Sequence, residues 1–186
     1  MKLVSFIAPL FQITGILGGL DPILILCTGN ATRSVIAGAM LRNHLPDIEV
    51  ATAGTLSIDG LPISSRTRAG FQSVGLAAPD HRSRQARAAD IDRAGLIIGL
   101  APEHVAWVRR EHPGAAARTA TLKRLARDLA PVGRPLARRI ADMELAAVVL
   151  EHWEEVVDPG GGDEEAFVAC AHEVVTLVDD LAPRLR

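Results

Sequence analysis

Short apolar runs alternate with amphipathic segments along the chain from residue 22 onward. Uninterrupted apolar stretches occur at residues 22–26 (PILIL) and within residues 92–100 (AGLIIGL), and each is soon followed by a segment with helical spacing. Such a run is typical of a strand that is buried on both faces of a parallel sheet. The alternation of strands and helices predicts an α/β fold.

The complete assignment has four strands and six helices. The pattern predicts strands at residues 22–26, 48–53, 92–100 and 118–122, and helices at residues 34–45, 62–74, 102–112, 123–129 and 136–153. The last helix begins after Asp163, a good helix cap, and its apolar stripe comprises Phe167, Ala171, Val174, Val178 and Leu181. We therefore expect a three-layer α/β domain. Its open four-stranded parallel sheet carries helices on both faces.

Residues 1–20 differ from the rest of the chain. They are mostly apolar with a single lysine, which superficially resembles a signal peptide. Gln12 interrupts the apolar run and no Ala-x-Ala site follows it, while Pro9 and several glycines disfavour a membrane span. We interpret residues 1–20 as an N-terminal extension of unknown role and residues 21–186 as the domain. We expect no membrane partner.

Composition excludes several classes of function. The chain has 186 residues and a formal net charge of -2, and it contains no tyrosine. Neither a basic stripe nor an aromatic stacking platform is present, so no nucleic-acid partner is expected. Cys27 and Cys170 are the only cysteines, and no Cys/His cluster has zinc-ligand spacing. These features predict a cytoplasmic protein without metal or cofactor, either a monomer or a weak dimer.

Candidate chemistry lies directly after the first predicted strand, in residues 27–34 (CTGNATRS). A short loop between a strand and a helix forms an anion-binding nest, which also stabilises a thiolate. Arg33 lies six residues after Cys27, and its planar guanidinium can bind two phosphate oxygens at once. Gly29 and Asn30 tolerate left-handed backbone angles, and Ser34 can donate a hydrogen bond to the sulfur. The segment is predicted to be a phosphate-binding loop with Cys27 as a nucleophile. The loop comprises Thr28, Gly29, Asn30, Ala31, Thr32 and Ser34.

Residues 23–34 (ILILCTGNATRS) resemble the signature loop of the low-molecular-weight protein tyrosine phosphatases, a family that includes thiol-coupled arsenate reductases. The similarity continues through ATAGT at residues 51–55, DHRSR at residues 80–84, AGLIIGLAPEH at residues 94–104 and VVDPGGGDEEAF at residues 156–167. The loop and the Asp-Pro motif are the specific parts of this resemblance. Residues 1–20 lie outside it.

The resemblance implies a reaction and the residues that perform it. Cys27 would form a cysteinyl-phosphate intermediate, Arg33 would clamp the phosphate, and Asp158 would protonate the leaving oxygen. Asn30, Thr52 and His81 fall where the family has hydrogen bonds that hold the loop. The implied substrate is a phosphorylated protein, most simply on tyrosine, or a small phosphate ester.

Several positions depart from the family pattern. Thr32 stands where some members have a second, protective cysteine, and Val35 stands where most have proline. The aromatic residues that usually flank the cavity are missing from residues 56–60 (LSIDG) and after Pro159. Since a phosphotyrosine ring gains binding energy from aromatic walls, the departures put the tyrosyl substrate in question.

Two other functions stay open. An arsenate reductase would use the same loop because arsenate has the shape and charge of phosphate. This chain lacks the two further cysteines of a three-cysteine relay, so it would need an external low-molecular-weight thiol or a redoxin. The third interpretation is a non-catalytic module that binds an oxyanion or a partner on the same fold.

Overall fold

A computed structural model describes residues 21–186. Residues 1–20, and with them the predicted domain boundary, lie outside the described residues. The strands are β1 Ile23–Cys27, β2 Val50–Gly54, β3 Leu96–Gly99 and β4 Thr119–Thr121. The α-helices are α1 Arg33–His44, α2 Ser65–Ser73, α3 Ala88–Arg93, α4 Pro102–Glu111, α5 Leu122–Asp128, α6 Leu136–Ala141 and α7 Glu164–Leu181.

The four strands form one parallel sheet in the order β2-β1-β3-β4, which confirms the predicted α/β class. β1 is central, and its last residue, Cys27, pairs with Gly54 at the end of β2. Ligands of open α/β sheets bind beyond the carboxyl ends of the strands. The sheet order therefore places the loop after β1 between the chain segments that follow β2 and β3.

Every residue of β1 is buried, and its side chains alternate between two apolar layers. Ile23 and Ile25 join the core beneath α1, α5 and α7, whereas Leu24 and Leu26 pack on the opposite side with residues of α3 and α4. Burial on both faces explains why this strand has no polar positions. The predicted three layers are confirmed.

The C-terminal helix α7 closes one side of the sheet. Asp163 caps it by accepting a hydrogen bond from the Ala166 N–H group (3.0 Å), as its residue type predicts. The predicted apolar stripe is buried at all five positions, which are Phe167, Ala171, Val174, Val178 and Leu181.

The prediction of one long helix at residues 136–153 is wrong, because α6 ends at Ala141. Tertiary contacts take the backbone carbonyls that a continued helix would need. Arg109 donates to the carbonyls of Leu145 (2.6 Å) and Val148 (2.9 Å), and Glu144 adopts a φ of 49°. The helical propensity of this segment is thus overridden by arginine side chains that hold its backbone in an irregular path.

Two other predicted elements begin more than two residues later than predicted. α2 begins only at Ser65, because Ser64 accepts a hydrogen bond from the Thr67 N–H group (3.0 Å) as the helix cap, while Pro62 bridges to Arg82 in an extended conformation. The predicted strand at residues 92–100 is shorter, since α3 extends to Arg93. The pattern of apolar residues did not indicate α3.

Two glycines allow close packing around the site, Gly54 between β2 and the loop after β1, and Gly38 between α1 and β2. A Cβ atom at Gly54 would lie 2.5 Å from the Thr28 carbonyl oxygen, and one at Gly38 would lie 2.5 Å from the Thr52 methyl group. Backbone atoms of the loop cannot yield as a flexible side chain can. A side chain at position 54 would therefore displace the loop. Among residues 21–186, no helix is long and apolar enough to cross a membrane.

Candidate active site

Cys27 lies at the end of the central strand, and only 3% of it is exposed. Its sulfur is 3.0 Å from the Ser34 hydroxyl oxygen, in the first turn of α1. The positive end of the α1 dipole and the Ser34 hydroxyl both favour an anion at this place. Cys170 differs, because burial within α7 raises the pKa of its thiol to about 12. The structure thus sets Cys27, and not Cys170, beside groups that stabilise a thiolate.

Asn30 is the centre of the hydrogen bonds that hold the loop. It is fully buried with a φ of 50°, which fulfils the expectation of a left-handed residue. Its side chain donates to the Ser34 hydroxyl (3.0 Å) and accepts from the Arg84 N–H group (3.1 Å). Gly29, expected to share the left-handed conformation, does not adopt a positive φ.

His81 supports the loop from outside. Its Nε2 lies 2.8 Å from the Asn30 carbonyl oxygen, which can only accept, so Nε2 carries the proton and donates. Burial lowers the pKa of His81 although this hydrogen bond favours the charged form. Thr52 makes no side-chain hydrogen bond to the loop within the described part of the chain. Its contribution there is the packing of its methyl group against Gly38.

Arg33 is buried, with 2% of the residue exposed, and its guanidinium contacts three residues in two loops. One terminal nitrogen, Nη1, donates to the Val156 carbonyl (3.1 Å), and Nη2 donates to the Thr28 hydroxyl oxygen (3.2 Å). Nη2 also forms an ion pair with the carboxylate of Asp158. The structure thus brings together Arg33 and Asp158, which are 125 residues apart in the sequence.

Asp158 extends from the loop between the 3₁₀ turn His152–Glu154 and α7, and half of its side chain is exposed. Its other carboxylate oxygen accepts a hydrogen bond from the Gly160 N–H group (3.0 Å). Beyond it, Gly161 adopts a φ of 82°, and Arg66 donates to the Gly162 carbonyl. The glycine-rich sequence allows a tight turn that directs the carboxylate back toward Arg33.

A buried ion pair fixes the chain on the other side of Asp158. Glu154 is fully buried and accepts from Arg124 Nη2 (2.5 Å), Arg124 Nε (2.9 Å) and the Thr121 hydroxyl (2.6 Å). Burial alone would raise the pKa of Glu154, but these hydrogen bonds lower it below its ordinary value. Two residues later the Val156 N–H group donates to the Leu100 carbonyl (2.8 Å). The approach to Asp158 is therefore anchored to the end of the sheet.

Cys27, Arg33 and Asp158 line a cavity of about 400 Å³. Phe167 is the single aromatic residue among those that line it, and Arg66 lies over its ring at 5.7 Å. Sequence reasoning placed Phe167 only in the core of α7 and expected no aromatic wall. The lining residues are Cys27, Thr28, Gly29, Ala31, Thr32, Arg33, Ser64, Thr67, Asp158, Gly160 and Phe167.

Two neighbours of the loop were also missed by the sequence analysis. Glu103 and His104, in the first turn of α4, both contact Thr28. Their position could have been inferred, because residues that follow one central parallel strand lie beside the loop that follows the adjacent strand. Among residues 21–186, no group of three or more His, Cys, Asp or Glu side chains could hold a metal ion.

The sequence and the fold both match known phosphatases. The family model of the low molecular weight phosphotyrosine protein phosphatases matches residues 22–131. A protein-arginine-phosphatase of Geobacillus stearothermophilus is 31% identical over 165 residues, covering 88% of this chain and 95% of the relative. A probable low molecular weight protein-tyrosine-phosphatase of Ralstonia solanacearum is 31% identical over 49% of this chain and 63% of its own length.

Solved structures give the same result. The arginine phosphatase YwlE from Geobacillus stearothermophilus superposes with a TM-score of 0.71 and 29% identity, covering 89% of this chain and 92% of that one. The tyrosine phosphatase Wzb from Escherichia coli K30 in complex with sulphate has a TM-score of 0.72 at 21% identity, covering 90% of this chain and 99% of that one. At that identity the second match concerns the fold alone.

Proposed function

The chain belongs to the low molecular weight phosphotyrosine protein phosphatase family and is a phosphatase, and we propose that it works through Cys27, Arg33 and Asp158. The observation that carries this assignment is their convergence. A cysteine beside a hydroxyl donor, a buried guanidinium and a carboxylate all line one cavity at the carboxyl end of the central strand. A thiolate, an oxyanion clamp and a proton donor are the groups that phosphate transfer to sulfur requires.

In the first step the Cys27 sulfur attacks phosphorus. The S–P bond forms as the bond between phosphorus and the leaving atom breaks, and the product is a cysteinyl phosphate. Ser34, 3.0 Å from the sulfur, stabilises the thiolate before the attack. Water then attacks phosphorus, the S–P bond breaks, and the electron pair returns to Cys27.

Arg33 stabilises the charge that builds on the non-bridging phosphate oxygens. Its fork geometry suits two of these oxygens, and the Val156 carbonyl holds the guanidinium from behind through Nη1. In the structure, Asp158 accepts from Arg33 Nη2, which is one of the donors that a phosphate would use. Binding of a phosphate therefore exchanges the partner of Arg33 and releases the Asp158 carboxyl group toward the leaving atom.

Asp158 moves the proton in both steps. As the neutral acid it protonates the leaving oxygen, and as the carboxylate it accepts a proton from the attacking water. Its half-exposed position suits this exchange, because the group reaches both the cavity and the solvent.

For the substrate, a phosphotyrosyl protein is the first candidate because the family model carries that description. A phosphoarginyl protein is the second candidate, and the extent of the comparison favours it. The protein-arginine-phosphatase matches 88% of this chain, whereas the tyrosine phosphatase relative from Ralstonia solanacearum matches 49%. Within the described part of the chain, the cavity wall also has a single aromatic residue, Phe167, to bind a tyrosyl ring. No observation favours arsenate reduction, since the reported relatives are named as phosphatases.

The experiment that tests the reaction measures partitioning of an intermediate. The enzyme hydrolyses a series of aryl phosphates with an added alcohol, and the ratio of transferred to hydrolysed phosphate is recorded. A shared cysteinyl phosphate predicts one ratio for every leaving group. A ratio that changes with the leaving group would mean direct attack by water. Parallel assays with phosphotyrosyl and phosphoarginyl peptides of the same sequence identify the preferred substrate.

A further inference from the structure

His104 contacts the phosphate-binding loop from α4, and the proposed reaction leaves it without a role. Only 1% of the residue is exposed. β3 lies next to β1 in the sheet, so the first turn of α4 comes beside the loop that follows β1. The imidazole Nε2 lies 3.1 Å from the Thr28 hydroxyl oxygen and 3.3 Å from a Glu103 carboxylate oxygen.

These partners define the protonation of the ring. A carboxylate only accepts hydrogen bonds, so the nitrogen that faces Glu103 carries the proton. Nδ1 is buried and has no hydrogen-bond partner among residues 21–186. The neutral Nε2–H form therefore avoids an N–H group buried without an acceptor. Burial, together with the nearby Arg33, lowers the pKa of His104 to about 3, which keeps the ring neutral at physiological pH.

The network continues through Thr28 to the guanidinium of Arg33. The Thr28 hydroxyl donates to Glu103 (3.2 Å) and its oxygen accepts from Arg33 Nη2 (3.2 Å). A threonine hydroxyl on its own can rotate. The Glu103 acceptor and the His104 donor together leave it one orientation, in which a lone pair faces Arg33.

We propose that His104 is a positioning residue, which holds Arg33 through Thr28 in the orientation that receives phosphate. The need for it follows from the proposed function, on which this inference rests. When Asp158 turns to the leaving group, Arg33 loses one of its three contacts. The Val156 carbonyl then holds Nη1, and Thr28 alone holds Nη2. Without His104 the Thr28 hydroxyl could rotate so that its lone pair no longer faces Arg33.

The test compares two variants of His104 with a buried neighbour. His104→Leu fills the space without a donor, whereas His104→Gln offers an amide N–H group in its place. Val105→Ala is the matched control, because Val105 is fully buried on the same helix and none of the contacts above involves it. The readouts are kcat/KM for an aryl phosphate and the inhibition constant of inorganic phosphate, measured well below each melting temperature.

We expect His104→Leu to lower kcat/KM about tenfold and to raise the inhibition constant of phosphate by a similar factor. This is the equivalent of one hydrogen bond to a charged network. His104→Gln should recover most of the loss, and Val105→Ala should change both by less than about twofold, within the range of an indirect effect. Thr28→Val with His104→Leu should be no worse than Thr28→Val alone, since both act through one contact. Additive losses in the Thr28→Val, His104→Leu double variant would overturn the inference. Equal losses for His104→Leu and Val105→Ala would also overturn it.

If His104→Leu does not fold, Thr28 carries the test with His104 intact. Thr28→Val should then lose at least about fivefold more phosphate affinity than Thr28→Ser, which keeps the hydroxyl. Equal losses would overturn the inference. Failure of the proposed function gives a different result, because the Cys27→Ser variant would then hydrolyse the substrate as fast as the wild type does. That result would remove both the function and the inference, whereas the outcomes above concern His104 alone.

Discussion

Replacing Asp158 by asparagine separates proton donation from the structure of its loop. Asparagine retains the oxygen that accepts from the Gly160 N–H group (3.0 Å), so the turn can persist. It has no proton to give at neutral pH, and its amide nitrogen cannot accept from Arg33 as the carboxylate does. The variant therefore loses the acid and the ion pair, but not the turn.

The size of the effect depends on the leaving group. General acid catalysis contributes about 100- to 10,000-fold, so kcat for an alkyl or tyrosyl phosphate should fall by that factor. An aryl phosphate with an acidic leaving group needs little protonation and should lose much less. The lost ion pair is half exposed on the Asp158 side, so it contributes little to stability, and Arg33 becomes free to bind phosphate. We expect KM to stay equal or fall. Steady-state kinetics over a series of leaving groups measures all of this.

Asp163 provides the matched control. It lies in the same loop and caps α7, and asparagine is an equally good helix cap. Asp163→Asn should leave the dependence on the leaving group as it is in the wild type. Equal slowing of good and poor leaving groups by Asp158→Asn, or no slowing, would refute the role of Asp158. A steeper dependence in Asp163→Asn would transfer that role to Asp163.

Three further outcomes follow from buried ionisable groups. Arg33→Lys should lower kcat by about 100-fold or more, because one ammonium cannot reproduce a fork that donates through both terminal nitrogens. The control is Arg118→Lys, which also removes an arginine bound to carbonyls and should leave kcat near that of the wild type. Glu154→Gln should lower the free energy of unfolding by about 1–3 kcal/mol in urea titrations, since it removes the one fully buried carboxylate that Arg124 contacts and leaves only the longer ion pairs with Asp128 and Glu151. An unchanged free energy of unfolding would contradict this assignment. Folding lowers the pKa of His104 from 6.5 to about 3, so the unfolded chain binds the extra proton and stability should fall as the pH drops from 6.5 toward 3. His104→Gln should flatten that decline, and an unchanged decline would exclude His104 as its source.

The local chemistry of the site could be predicted from the sequence because its parts are adjacent along the chain. An apolar strand, a Gly-Asn turn and an arginine six residues after Cys27 lie within one short segment. The structure sets Ser34 beside the sulfur and gives Asn30 a left-handed backbone, as their residue types indicated. The assignment of Asp158 to the same site came from the family resemblance, and its contact with Arg33 was not predicted. Spacing alone carries no information across 125 residues.

What the sequence did not indicate depends on contacts between distant segments. Residues 136–153 have helical propensity, but Arg109 takes two of their carbonyl groups and Glu154 is drawn into the core by Arg124. His104 has the spacing of an ordinary helix residue, and its role depends on the adjacency of β3 and β1. Phe167 belongs to an apolar stripe, yet it also reaches the cavity wall.

The most direct test of the account is to trap the intermediate on Cys27. The enzyme is mixed with an aryl phosphate and quenched within milliseconds, and the modified peptide is mapped by mass spectrometry. Cys170 serves as the internal control, because burial raises the pKa of its thiol to about 12. We expect one phosphoryl group on Cys27, formed during the burst of leaving-group release, and no phosphorylated peptide from Cys27→Ala. A burst without phosphate on Cys27, or with phosphate on another residue, would contradict it.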